Sequence, residues 1–306
     1  MKIRHFLLYG DLSPKYGGPT YSVPIQCIGT QWEGAKMSFV VFESSKPYEE
    51  RLIEAGVGII HMPNPKNKWE LLMSVALRHY LRRCADKPDV LHIHGVWMPE
   101  NLWVSKYGKT HSIPYVINPR GDTEIARINY DKIKKIKKQI AWRLYGKKIV
   151  DNAACIIATS EQERDSIRTL GSKVPVAIIP NGIELDAFSN EVVHNHGEKK
   201  VLLFLSRINP IKGIEYLIDA WKQLDTSLTS QWELHIAGNS DPKDYIDTLK
   251  TKVDRLGLSG SIKFIGPVTG EAKMRKYQDS NLFILPTLNE NFGNVVAEAM
   301  MCERSV

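Results

Sequence analysis

The chain has 306 residues, 43% hydrophobic and 25% charged, with a formal net charge of +7. That length is too great for one compact core and suits two domains. The composition excludes a disordered chain, a collagen-like repeat and a small disulfide scaffold.

No apolar run reaches the roughly 18 residues that a membrane-spanning helix needs. The N-terminal run around Phe6-Leu7-Leu8 is too short for a signal peptide and lacks a small-residue cleavage site, so it reads as a first buried strand. Cys27, Cys84, Cys155 and Cys302 are scattered with no Cys-x-x-Cys, which argues against zinc ligation and a disulfide framework and fits a reducing cytoplasm.

In chain order, short β-branched runs alternate with helical patterns. Strands are expected at Arg4–Tyr9, Ser38–Phe42, Gly58–His61, Val90–Ile93, Tyr115–Asn118, Cys155–Ala158 and Val176–Ile179. Helices are expected at Thr20–Gln31, Trp69–Ala85, Asn101–Tyr107, Ile133–Val150 and Glu161–Leu170. Such alternation implies crossovers and a mostly parallel, doubly wound sheet.

The segment Lys132–Lys148 holds eight basic residues and no acid, with Ile133, Ile136, Ile140 and Leu144 at helical spacing. Two readings stand: a solvated basic face over a packed stripe, or contact with an anionic membrane surface or a phosphorylated acceptor. Nucleic acid is not expected, since Trp142 and Tyr145 are the only aromatics and no reading motif accompanies them.

Ser189–Lys200 is polar and reads as an interdomain linker, dividing the chain into domains 1–190 and 191–306. A second series follows, with strands near Val201–Leu205, Glu233–Ala237, Ile262–Ile265 and Leu282–Leu285. Helices are expected near Gly213–Leu224, Lys243–Leu256 and Glu271–Asp279. Two doubly wound domains facing a cleft are the expectation, with ligands outside the carboxyl ends of the strands.

Two strand ends carry the chemistry. In Leu285-Pro286-Thr287-Leu288-Asn289-Glu290-Asn291-Phe292-Gly293, a loop leads to a helix near Gly293. Its free N–H groups and dipole favour an anion such as a diphosphate. Glu290 precedes that helix and Glu298 lies inside it, roughly 7 Å along the axis from its start. In Ser206-Arg207-Ile208-Asn209-Pro210-Ile211-Lys212-Gly213, Arg207 and Lys212 bracket a similar loop, a fork and a point charge suited to two phosphates.

The Ser-Arg-x-x-x-x-Lys-Gly loop and the Glu-x₇-Glu segment resemble glycosyltransferase family 4, retaining enzymes of GT-B architecture that use nucleotide-sugar donors. Gly17-Gly18-Pro19, His92-Ile93-His94-Gly95, Pro119-Arg120-Gly121, Ala158-Thr159-Ser160-Glu161 and Ile179-Pro180-Asn181-Gly182-Ile183 agree in order. The resemblance implies that Arg207 and Lys212 bind the donor diphosphate. It implies that Glu290 holds the transferred sugar, with the backbone of Asn291, Phe292 and Gly293. Glu298 would bind the ribose hydroxyls, while Gly266, Pro267 and Val268 would meet the base. Gly17 and Gly18 would let backbone approach the phosphates, and His94 would contact the donor sugar, with His92 a packing residue. Arg120 would face an anionic acceptor or donor phosphate, or serve structure alone.

No Asp-x-Asp motif is present, so no cofactor and no metal are expected, the cations standing in for one. The expected partners are a nucleotide sugar and a surface-polysaccharide or lipid-linked acceptor. The expected location is cytoplasmic, peripheral on the inner face of the membrane through 132–148. Cys302-Glu303-Arg304-Ser305-Val306 resembles the start of a family turn that leads to further βα units, so the second domain is expected to be incomplete. The alternatives are a truncated, non-catalytic nucleotide-binding remnant and a GT-B nucleotide-sugar epimerase, which the Glu-x₇-Glu pair argues against.

Overall fold

The computed structural model describes residues 1–8, 12–13, 17–123, 132–183 and 199–306. The chain divides into two compact units, Met1–Gly182 and Ile183–Val306. The linker expected at 189–200 falls almost wholly outside the described residues.

The first unit is built on a seven-stranded parallel sheet in the order β3-β2-β1-β4-β5-β6-β7. Its strands are β1 (Lys2–Phe6), β2 (Lys36–Phe42), β3 (Gly58–Met62), β4 (Val90–His94), β5 (Tyr115–Asn118), β6 (Cys155–Ala158) and β7 (Val176–Ile178). Both faces are buried, as a parallel sheet requires. Phe6, Leu91, Ile93 and Ile117 pack on one face, and Leu7, Phe39 and Val41 join a cluster with Val23 and Cys27 of the Pro19–Trp32 helix. Strand β4 divides its residues between the two: Leu91 and Ile93 enter the first cluster, so His92 and His94 point to the opposite face.

The second unit has a four-stranded parallel sheet in the order β10-β9-β8-β11, from β8 (Lys200–Leu205), β9 (Trp232–Ala237), β10 (Ile262–Gly266) and β11 (Leu282–Phe283). Here too a cluster covers each face, one around Phe204, Ile218 and Leu249, the other around Leu203, Tyr277 and Phe283. In both sheets the chain order reverses beside the first strand, between β1 and β4 and between β8 and β11. Such reversal points leave a crevice at the carboxyl ends of the strands.

Several expected elements differ. Strand β1 begins at Lys2, paired with Lys36, and its ladder ends at Phe6, although Leu7 and Leu8 remain buried. The single helix expected over Trp69–Ala85 is two, Lys68–Met73 and Val75–Arg83, because Ser74 adopts a left-handed φ of 48° that interrupts the ladder. Strand β11 is two residues long; the Ile284 amide still bonds the Leu203 carbonyl at 2.9 Å before the chain leaves for the loop that reaches Ile211.

The helix expected over Ile133–Val150 carries a π turn, Trp142–Gly146, between Lys132–Ala141 and Lys147–Asp151. The packed-stripe reading fails at Ile136, Ile140 and Leu144, which are 58%, 54% and 72% exposed. Trp142, Tyr145, Ile149 and Val150 meet the core instead. The side chain of Ile133 lies outside the described residues.

Two glycines fix the loops of the second sheet. Gly213 has φ +70°, and a Cβ there would lie 1.9 Å from the Pro286 carbonyl oxygen. Gly238, at φ +147°, would place a Cβ 1.8 Å from the Ser206 carbonyl oxygen. Both obstacles are backbone, so neither can turn aside. Gly213→Ala is expected to destabilise the second unit by about 2 kcal/mol or more, combining left-handed strain with a forced backbone shift. Urea denaturation of the full chain checks this; an unchanged midpoint would contradict the close approach.

Candidate active site

In the second unit the site begins where β8 stops. Asn209 accepts a hydrogen bond from the Ile211 amide at 3.1 Å, capping the short Pro210–Lys212 turn. The turn exposes the Ile211 carbonyl, which accepts from the Leu288 amide at 2.8 Å and from the Thr287 hydroxyl at 3.2 Å. These bonds tie the loop after β8 to the loop after β11, and they bring Lys212 against Glu290.

Lys212 Nζ donates to Glu290 Oε2, with the two side chains 10% and 30% exposed. A half-buried ion pair of this kind compensates each charge for lost hydration. Glu290 Oε1 accepts from the Asn291 amide at 3.2 Å. The chain then passes through Asn291 and Phe292 to Gly293, whose φ of 75° admits the turn into the Asn294–Met301 helix.

Glu298, on that helix, is held separately. Its Oε2 accepts from Tyr277 Oη at 2.7 Å and pairs with Lys273 Nζ at 2.5 Å. Burial and the Glu298 charge hold the Tyr277 hydroxyl well above the ordinary phenol range, so it stays a donor. Arg207 shares the loop of Lys212 but turns elsewhere: it is half exposed and lies 3.5 Å from Asp241, beyond the end of β9. Gly266 closes β10 with φ 77°, and Val268 packs against the Leu203–Phe283 cluster. The expected donor residues of this unit therefore follow the ends of three strands, β8, β10 and β11, with Lys212 and Glu290 in direct contact.

In the first unit, Gly17 has φ 84° and Gly18 caps the Pro19–Trp32 helix. His94 is fully buried at the end of β4, and its Nε2 is 2.9 Å from His5 Nδ1. His5 pairs in register with His92, and the His92 and His94 rings stack with centroids 4.2 Å apart. Burial lowers the His5 pKa to about 3, with the Arg120 charge adding to it. Burial likewise holds His92 and His94 well below the ordinary value, reinforced by the neighbouring imidazoles and Arg120.

Ligand atoms of His5, His92 and His94 lie within 4.8 Å of one another, a distance compatible with a metal. The His5 and His92 rings each stack or tilt against His94 and one another, and the Arg120 charge acts on all three. That donor set fits neutral imidazoles packed together better than a dication. Arg120, at a left-handed φ of 56°, donates to Ser22 Oγ and Gln26 Oε1 and to Asn181 Oδ1. It joins the first helix to the Asn181-Gly182 turn.

Three contributors escaped sequence reasoning: His5, Lys273 and Tyr277. Lys273 and Tyr277 stand more than 20 residues before Glu298 and belong to no motif with it. Glu100 is buried, neither carboxylate oxygen has a partner among the described residues, and burial pushes its pKa up to about 7. Only the adjacency of β1 and β4 in a doubly wound sheet could have flagged His5.

The family described as Glycosyltransferase Family 4 matches residues 31–187, just over half of the chain. The chain belongs to glycosyltransferase family 4. The family described as Glycosyl transferases group 1 matches residues 187–306. An uncharacterized glycosyltransferase of Methanocaldococcus jannaschii is 34% identical over 103 residues, 34% of this chain and 25% of that protein. A D-inositol 3-phosphate glycosyltransferase of Corynebacterium jeikeium is 27% identical over 175 residues, 52% of this chain and 42% of that protein. These alignments thus span less than half of the curated relatives' length.

Among solved structures, Anabaena HepE in complex with UDP and glucose superposes with a TM-score of 0.70 at 18% identity, covering 99% of this chain and 79% of that one. WaaG, a glycosyltransferase involved in lipopolysaccharide biosynthesis, gives 0.68 at 12% identity, with 99% and 79% covered. The fold is that of the GT-B glycosyltransferases.

The imidazole cluster predicts acid sensitivity. Each folded-state pKa is depressed, so above about pH 6.5 these groups are neutral in both states and cost nothing. As pH falls from about 6.5 toward 3, the unfolded chain takes up protons that the folded chain refuses. Stability then drops by up to about 1.4 kcal/mol per pH unit for each imidazole. His5→Asn is expected to flatten this slope in urea titrations between pH 7 and 4; equal slopes would contradict it.

Proposed function

We propose that this protein transfers a sugar from a nucleoside-diphosphate sugar to an acceptor hydroxyl with retention of anomeric configuration. The observation that carries this is the Lys212–Glu290 contact at the crevice between β8 and β11, beside the start of the Asn294–Met301 helix. It joins a phosphate-binding cation to a sugar-binding carboxylate. The UDP and glucose bound by HepE, a protein of the same fold, support the choice of ligand.

In this reading the donor diphosphate takes Lys212 from Glu290, and the released carboxylate accepts hydrogen bonds from the sugar. The anomeric C–O bond breaks with its electron pair moving to the β-phosphate oxygen. Lys212, Arg207 and the helix start stabilise that growing charge without a metal. The acceptor oxygen bonds to the anomeric carbon on the same face, and its proton passes to the departing diphosphate. Lys212→Ala or Arg207→Ala is expected to slow transfer about 10²-fold or more, the scale of losing one charge stabiliser. Turnover of labelled donor measures this, and near-native rates in both variants would defeat the assignment.

We place the acceptor at a lipid-linked or polysaccharide surface on the strength of the basic helix. No helix among the described residues is long and apolar enough to cross a membrane. Ile136, Ile140 and Leu144 instead stand exposed among lysines, the arrangement of a helix lying in an anionic interface. Replacing all three with Ser is expected to weaken binding to vesicles containing phosphatidylglycerol by about tenfold or more. Sedimentation with such vesicles at low salt tests it, and unaltered binding would remove this support.

A further inference from the structure

Glu298 sits on the helix that follows β11, yet both of its partners come from another element, the Gly270–Asp279 helix. Lys273 and Tyr277 are four residues apart there, so they project from one face one turn apart. Both converge on the same oxygen, Oε2. Oε1 takes part in neither contact. Tyr277 is fully buried, while the Glu298 and Lys273 side chains are 17% and 20% exposed.

We infer that Lys273 and Tyr277 are positioning residues that fix the Glu298 carboxylate and set how strictly the site demands a ribose rather than a deoxyribose nucleotide. The inference rests on the proposed reading of Glu298 as the ribose-binding acid.

A carboxylate on a flexible stem can rotate to spread two hydrogen bonds over whatever the ligand offers. Anchored twice through one oxygen, Glu298 cannot turn that oxygen to the ligand. Oε1 alone then faces the hydroxyls in one fixed orientation. The phenol O–H and the ammonium also compensate Oε2 for the hydration it gives up in this partly buried setting. A dry, fixed acceptor loses most when the ligand lacks the matching hydroxyl, because its hydration has already been given up. A mobile, solvated carboxylate would be more tolerant. Lys273 and Tyr277 need not touch the ligand to act in this way.

The test measures dissociation constants of the full chain for UDP and GDP and for their 2′-deoxy and 3′-deoxy analogues, by calorimetry. It is run on the native protein and on Glu298→Gln, Tyr277→Phe and Lys273→Met. The native protein is expected to prefer the better-binding ribonucleotide over at least one deoxy analogue by about tenfold or more. Glu298→Gln should abolish that ratio. Tyr277→Phe and Lys273→Met should each reduce it to about threefold or less while leaving the affinity for the deoxy analogue nearly unchanged.

A general structural defect would instead weaken all nucleotides alike. If Glu298→Gln loses the preference while both positioning variants keep it in full, this inference is overturned and the ribose reading stands. If Glu298→Gln keeps the preference, or no ribonucleotide is preferred at all, the ribose reading fails and this inference falls with it. Should Tyr277→Phe not fold, Lys273→Met carries the decision, since its side chain is partly exposed and its aliphatic stem is retained.

Discussion

Much of the candidate site hangs on a single carbonyl. The Ile211 oxygen accepts from both Leu288 and Thr287, lashing the loop after β8 to the loop after β11. That contact is reachable only because the next-but-one residue, Gly213, has no Cβ to strike the Pro286 backbone. The parallel pairing of β8 with β11 supplies the reversal in chain order, and the carbonyl closes its rim. Without it, Lys212 and Glu290 would belong to two independent loops. Each would pay its own desolvation for a charge that, paired, is compensated.

The first unit reaches a comparable position by opposite means. Its reversal between β1 and β4 is filled by three neutral imidazoles rather than by an ion pair. Burial and the nearby guanidinium suppress their charge. The stacked rings pack as apolar plates that keep hydrogen-bonding edges. Arg120 binds side chains from the first helix and from the Asn181 turn, so it braces the carboxyl end of the sheet.

The fold was legible because parallel strands buried on both faces read as unbroken apolar runs, as in Phe39-Val40-Val41 and Val201-Leu202-Leu203-Phe204. The loop motifs were legible because the phosphate-side residues stand within a few positions of one another. What stayed hidden depends on contacts between segments distant in sequence. The Tyr277–Glu298 bond and the His5–His94 contact follow from register and helix packing, which no local spacing encodes. Ser74 was missed for another reason: a left-handed serine leaves no mark on the hydrophobic pattern, so one helix was expected where two exist.

The π turn at Trp142–Gly146 inserts one extra residue into a helical run, and Gly146 leaves room for the Trp142 ring, 2.9 Å from where a Cβ would stand. An added residue rotates everything downstream by about 100° relative to the upstream phase. The lysine-rich half can thus show Ile136 and Ile140 outward while Ile149 and Val150 anchor inward. One continuous rod serves two environments by a change of phase, much as a crankshaft offsets its journals without being cut.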